Sequence, residues 1–206
     1  MSRAPYIAIA GNIGAGKSSF LRFLTTRYDI EAVFEPNEDN PFLERFYGDM
    51  KRWGFHSQLW FLGRKLSLHH GFDDATHAIV QDRTVWEDAE VFARHLASSG
   101  AMADEEWDAY ATLYREAARD LRRPDLLVYL RCPVRTLRKR IRARGRAMEQ
   151  DIPPKYLKAL HRLYESWYDS WDLGPKIVFE TNRFDPVTDI VDLHRAVEII
   201  DAHVTW

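Results

Sequence analysis

The run Gly11-Asn12-Ile13-Gly14-Ala15-Gly16-Lys17-Ser18 narrows the possible folds more than any other part of the chain. Two glycines stand five positions apart, and Lys-Ser closes the run. The apolar stretch Tyr6–Ala10 comes directly before it and the helix-like Ser19-Phe20-Leu21-Arg22-Phe23-Leu24 directly after. A strand, such a loop and a helix in succession form a cradle for phosphate. Gly11, Gly14 and Gly16 accept backbone angles that other residues resist, so consecutive amide hydrogens can turn into one concavity. The helix N-terminus adds partial positive charge at the same point. Lys17 is then placed to reach the outer phosphates, and the Ser18 hydroxyl to ligate magnesium. A glycine-rich turn with no ligand is the alternative, and both flanks argue against it.

Short apolar runs at Tyr6–Ala10, Glu31–Phe34, Ala78–Gln81, Leu126–Leu130 and Ile177–Phe179 predict five strands. Between and after them lie helix-like segments at 17–27, 41–48, 52–70, 86–98, 103–121, 134–143, 154–171 and 187–203, with Pro153-Pro154 and Asp185-Pro186 as start signals. Strands alternating with helices predict an α/β fold, a parallel sheet with helices on both faces. The 206 residues read as a single domain, with a mobile basic segment near 140–152. A net charge of −2 supplies no global field toward nucleic acid or anionic lipid. Cys132 is the sole cysteine, which excludes an internal disulfide and fits a reducing compartment. Residues 1–5 lead straight into the first strand, leaving no room for a signal peptide, and no apolar run approaches the ~20 residues of a membrane span. The expectation is a cytoplasmic enzyme or switch protein.

Ligands of a parallel sheet bind beyond the carboxyl ends of its strands, so the residues just after each run carry the chemistry. Glu35 follows the second strand. It reads as a general base for an acceptor hydroxyl or as a solvated loop acid. Asp82 and Arg83 follow the third. The acid suits magnesium, directly or through water, and the guanidinium suits phosphate oxygens; a surface ion pair is the plainer reading. Along 52–68, Trp53, Ser57, Trp60 and Arg64 share one helical stripe, with Gln58 and Lys65 on the next and Phe61 between them. Gln58 and Arg64 among aromatics suit a planar, hydrogen-bonding ring, with Asp88 placed to orient Arg64. Core packing is the plain reading of Trp60. The basic run Arg135–Arg146, with Gly145 as a hinge, reads as a lid over phosphates in preference to a solvated face or a nucleic-acid patch. The adjacent His69 and His70 read as surface residues, and Cys132 as a packed thiol.

These residues together resemble the deoxyribonucleoside kinase family, in particular its bacterial members acting on deoxyadenosine and deoxyguanosine. The likeness spans nearly the whole chain. It rests on the loop at 11–18, Glu35-Pro36, Phe46-Tyr47, Arg52-Trp53-Gly54-Phe55-His56-Ser57-Gln58, Asp82-Arg83-Thr84, Glu87-Asp88 and Arg144-Gly145-Arg146-Ala147-Met148-Glu149-Gln150.

The resemblance implies a P-loop kinase fold with a basic lid at about 140–152. ATP would lie on Gly11, Asn12, Ile13, Gly14, Ala15, Gly16, Lys17, Ser18 and Ser19, closed over by Arg140, Arg144 and Arg146, with 181–185 near its adenine. Glu35 would activate the 5′-hydroxyl of a deoxynucleoside, with Arg83 beside it and Lys17 on the donor side. Gln58 would bond the base edge, with Trp53 and Phe55 near it and Phe92 stacking below. Arg64 and Asp88 would set base preference, and Tyr47 and Glu149 would hold the sugar 3′-hydroxyl. Ser18 and Asp82 would serve Mg2+. A homodimer through helices near 86–98 and 103–121 is implied too. Many family members carry Glu and Ser where Asp82 and Thr84 stand, and the shorter acid favours metal contact through water. Trp60 and Trp86 are bulky for their positions and would narrow the base pocket.

The expected reaction is transfer of the ATP γ-phosphoryl group to a deoxynucleoside 5′-hydroxyl, the nucleoside being deoxyadenosine or deoxyguanosine, in nucleotide salvage without nucleic-acid or membrane partners. A nucleoside monophosphate kinase of the thymidylate kinase type is the alternative, although Glu35 would repel its charged acceptor. A GTP switch would need Asn-Lys-x-Asp, and no asparagine here is followed by Lys. A nucleic-acid-dependent ATPase would rest on the basic run alone.

Overall fold

The computed structural model describes residues 3–181 and 189–206, Ile190 by its backbone alone. Strands β1 (Tyr6–Ala10), β2 (Ile30–Val33), β3 (Ala78–Asp82), β4 (Leu126–Arg131) and β5 (Lys176–Glu180) form one parallel sheet in the order β2-β3-β1-β4-β5. Side chains alternate along a strand, and here both sets are apolar. Tyr6, Ala8 and Ala10 enter one hydrophobic cluster, Ile7 and Ile9 the other. In β4, Leu127 and Tyr129 join the first cluster, and Leu126, Val128 and Leu130 the second.

The first cluster is covered by α2 (Leu43–Gly48), α3 (Met50–His69), α4 (Val85–Glu87), a π-helical turn (Asp88–Ala93), α5 (Arg94–Ser98), α6 (Asp104–Ala118) and α8 (Pro154–Ser170). The second is covered by α1 (Lys17–Arg27) and α9 (Ile190–Asp201). From α7 (Val134–Arg144), Leu137 packs into the second cluster and Ile141 into the first. Phe20, Leu21 and Leu24 of α1 are fully buried, each contributing roughly 1.5–3 kcal/mol of apolar burial.

The elements match the sequence expectation in kind and order, with shifted ends. Ile30 rather than Glu31 starts β2, because it pairs with Ala78 on β3. Phe34 leaves the sheet and lies exposed beneath the Arg22 guanidinium. Asp189 caps α9, accepting from the amides of Val191 and Asp192; the expected start signal Asp185-Pro186 lies outside the described residues. His69 departs from expectation. It is buried among Tyr6, Phe72 and Trp86, because it continues the stripe Gly54, Gln58, Phe61 and Lys65 on the inward face of α3. Burial lowers its pKa to about 4, so it is neutral at physiological pH. Among the described residues no helix is long and apolar enough to cross a membrane.

Candidate active site

The ends of β1, β2 and β3 open into a cleft of about 510 Å³ whose lining includes Gly14, Gly16, Lys17, Ser18, Glu35, Tyr47, Arg83 and Glu149. The loop after β1 is tightly determined. Asn12 turns its side-chain oxygen to the Ile13 amide (2.8 Å) and donates to the Leu157 carbonyl on α8 (3.1 Å). Gly11 and Gly14 have positive φ, and a Cβ on either would come within 2.9 Å of Leu130 O or the Ile141 side chain. No other residue fits these two places without displacing β4 or α7. Lys17 points into the loop and donates to the Gly11 carbonyl at 2.8 Å.

Arg83 is the hub of the site. It is the sole non-glycine residue with positive φ (67°) among those described, and its amide still continues the sheet by donating to Ile9 O at 3.0 Å. The twist turns its side chain back over the loop. Nη1 donates to Glu35 (2.8 Å), Nε to Glu87 (3.3 Å) and Nη2 to Gly11 O (3.3 Å), while the guanidinium lies 4.3 Å from the Phe92 ring centre. The Glu35 side chain is 9% exposed. Burial by itself pushes its carboxyl up, but Arg83, Lys65 and Lys17, with the Asn37 amide, outweigh that and hold it at about 2. Burial also lowers the Lys17 pKa, with Arg83 acting in the same sense and Asp82 against it. Asp82 is buried; one oxygen accepts from the Ser18 hydroxyl at 2.7 Å, and the other has no hydrogen-bond partner.

Behind Glu35 and Arg83 lies an inner cavity of about 20 Å³, lined among others by Tyr47, Gln58, Phe61, Asp88, Phe92 and Tyr156. The Gln58 carbonyl oxygen and the Tyr156 hydroxyl are buried without partners, an arrangement that a polar ligand would complete. Asp88 forms a buried ion pair with Lys65, the two side chains 4% and 1% exposed. Burial raises the Asp88 carboxyl, opposed by the Lys65 ammonium.

Residues 7–204 match the family model described as deoxynucleoside kinase. The chain belongs to the deoxynucleoside kinase family. It is 31% identical over 196 residues to the deoxyadenosine/deoxycytidine kinase of Bacillus subtilis, covering 94% of this chain and 90% of that one. It is 34% identical over 200 residues to the deoxyguanosine kinase of Lactobacillus acidophilus, covering 90% and 85%. Its fold superposes on deoxyadenosine kinase from M. mycoides, a structure with products dCMP and a flexible dCDP bound, with a TM-score of 0.85, 27% identity and coverage of 96% and 99%. This deoxynucleoside kinase is therefore an ATP-dependent enzyme that phosphorylates deoxynucleosides.

Within the kinase, most of the residues singled out from the sequence converge. Ile13, Gly14, Gly16, Lys17, Ser18, Ser19, Glu35, Tyr47, Arg83, Arg140, Arg144, Arg146 and Glu149 line the outer cleft, and Gln58, Asp88 and Phe92 line the inner cavity. Gly11, Asn12 and Ala15 shape the loop from behind. The basic run divides by helical face. Arg140 donates to the carbonyls of Ala15 (2.9 Å) and Thr181 (2.7 Å). Arg144 and Arg146 pair with Glu149, whereas Arg135, Arg138, Lys139 and Arg142 line a separate groove with Lys158. Residues 182–185, expected near adenine, lie outside the described residues.

Three expectations need correction. Arg64 is exposed and does not meet Asp88; Lys65 does, because it lies two turns beyond Gln58 on the inward face. Trp53 stacks on Phe42 under the cations of Arg45 and Arg52, and neither it nor Phe55 lines either cavity. Trp60 meets Phe61, and Trp86 is buried against His69 and Trp171, so neither narrows the inner cavity. Arg22 and Asn37 in the cleft, and Lys65, Glu87 and Tyr164 behind it, were not singled out as site residues. Spacing from Gln58 was the available signal for Lys65.

Two measurements check this geometry. Lys65→Met leaves Asp88 buried without its cation, a loss of about 3–5 kcal/mol, whereas Arg64→Ala should stay within about 0.5 kcal/mol. Urea unfolding compares them, and similar small effects would contradict the assigned partner. Glu35 has a folded pKa below its unfolded value, so it adds stability at neutral pH that is lost progressively as the pH falls from about 4.5 to about 2. Its carboxyl carbon signal in NMR should therefore stay flat from about pH 7 to about pH 4, where an ordinary glutamate would begin to titrate.

Proposed function

We propose that the outer cleft holds the ATP phosphates and the inner cavity a purine deoxynucleoside, deoxyadenosine or deoxyguanosine, with Glu35 and Arg83 at their junction. The observation that carries this reading is that Glu35 and Arg83 line both cavities, with Lys17 in the outer one and Gln58 in the inner one. Gln58 offers an amide with both donor and acceptor to a base edge, and Tyr47 and Glu149 face the position of a sugar hydroxyl.

Glu35 accepts the 5′-hydroxyl proton. A carboxylate held near 2 is a poor base at rest, and Arg83 supplies the remedy. As Arg83 turns toward the phosphoryl oxygens its grip on Glu35 slackens, and the carboxylate's proton affinity rises when the hydroxyl must lose its proton. Phosphoryl transfer has a loose transition state, so positioning and charge neutralisation supply most of the rate. Lys17 leaves the Gly11 carbonyl for the outer phosphates, and Arg144 and Arg146 close from a lid at about 140–152. Ser18 and the Asp82 oxygen that faces Lys17 at 3.8 Å without a hydrogen bond form a hard oxygen pair suited to Mg2+, which neutralises phosphate charge when bound.

The chain reads as one domain over 1–206, acting in the cytoplasm as a homodimer joined through the helices near 86–98 and 103–121, where Leu113 is exposed. Turnover of the four natural deoxynucleosides with ATP and magnesium tests the substrate. A kcat/KM for the purines at least about tenfold above the pyrimidines, some 1.4 kcal/mol in transition-state binding, is expected. Preference for thymidine or deoxycytidine would overturn the base assignment, and no product from any of them would overturn the reading.

A further inference from the structure

Glu87 lies outside both cavities and is fully buried, yet it touches the two parts of the site that must stay in register. Its Oε1 accepts from the Gly11 amide (3.2 Å) and from Arg83 Nε (3.3 Å), and the Tyr164 hydroxyl hydrogen-bonds to the same oxygen. Oε2 has no hydrogen-bond partner. The Tyr164 hydroxyl is also 3.0 Å from Gly11 O, and its ring stacks on Tyr129 of β4.

The local sequence explains the placement. Arg83 leaves β3 with positive φ, Thr84 caps the next turn by accepting from the Glu87 amide at 3.2 Å, and Glu87 returns one turn later beneath the arginine. Gly11 O accepts from Lys17 and Arg83 and lies within reach of the Tyr164 hydroxyl, whose one proton it shares with Glu87 Oε1. When Lys17 turns to phosphate, one of those ties is lost. The Glu87–Tyr164 pair, together with Arg83, remains.

We propose that Glu87, backed by Tyr164, is a positioning residue that joins the start of the phosphate loop to the Arg83 guanidinium, keeping donor and acceptor sites in register as Lys17 changes partners. The inference rests on the phosphoryl-transfer reading above. Glu87 touches neither reactant in that reading, so its effect is on turnover more than on binding. Burial pushes its carboxyl up against the pull of Arg83 and Lys17, and a carboxamide keeps the size of the side chain and an acceptor oxygen.

Kinetics of Glu87→Ala, Glu87→Gln, Tyr164→Phe and the Ala/Phe double variant test it, with melting curves to correct for folded fraction. Glu87→Ala should lower kcat roughly 30-fold, below the ~10²-fold that an ångström of misplacement costs, with both KM values within about threefold. Glu87→Gln should recover kcat to within about fivefold of wild type, since its amide oxygen still accepts from Gly11 and Arg83. The double variant should lose no more than about twofold beyond Glu87→Ala, because both residues act through one unit. Near-normal kcat in Glu87→Ala, or equal losses in the Ala and Gln variants, would overturn the proposal while wild-type turnover left the phosphoryl-transfer reading intact. A wild-type enzyme without turnover would overturn that reading itself.

Discussion

Glu35→Gln should lose about 10²–10⁴-fold in kcat while its nucleoside KM stays within a few-fold of wild type. The carboxamide keeps the size of the side chain and its contact with Arg83, but cannot take a proton. The effect belongs to the transition state because the hydroxyl becomes acidic only as the phosphoryl group arrives. Steady-state kinetics with ATP and magnesium measure it. Turnover within about threefold of wild type would remove Glu35 as proton acceptor and leave it as a partner of Arg83 alone. The same variant bears on the choice of acceptor, since a nucleoside monophosphate would bind better once the negative charge is gone.

Arg83→Lys should cost about 10²–10³-fold in kcat, the range seen when one preorganised donor to developing charge is removed. The charge is kept, so a point-charge account would predict little change. The guanidinium reaches Glu35, Glu87 and Gly11 O through three different nitrogens and sits over the Phe92 ring, 4.3 Å from its centre. An ammonium has one nitrogen and no plane, and cannot hold that fork. The strained backbone at 83 would remain while the side chain it serves is lost. Full activity in the lysine variant would mean that charge alone matters here.

The phosphate loop, Glu35, Asp82 and Arg83 were legible because each stands at the end of an apolar strand, where a parallel sheet gathers its chemistry. The base-side groups were harder. Gln58 stood out as an amide among aromatics, but its companion was taken one residue early, as Arg64 in place of Lys65. A single position on a helix is a 100° turn, enough to exchange a buried ion pair for a solvated arginine. Trp53 looked like part of a ring site and belongs instead to an outer stack with Phe42. Glu87 and Tyr164 are separated by 77 residues, and Tyr164 reads as one more apolar-face aromatic of α8. Their contact with the loop follows from how α8 packs on the sheet, which no local pattern encodes. The π-helical turn at Asp88–Ala93 had no sequence signal either, although it carries both Asp88 and Phe92 to the inner cavity.

The order β2-β3-β1 sets the three reactive strand ends side by side, at about 5 Å per strand. The spacing between Glu35, the Arg83 guanidinium and the phosphate loop is thus set first by the hydrogen-bond ladder of the sheet, with Glu87 and Tyr164 tying the last two together from behind. Gln58 and Lys65, by contrast, sit on α3. On the proposed reading, exchanges on that one helix would alter the base side first, while the order of the strand ends stays as the sheet sets it.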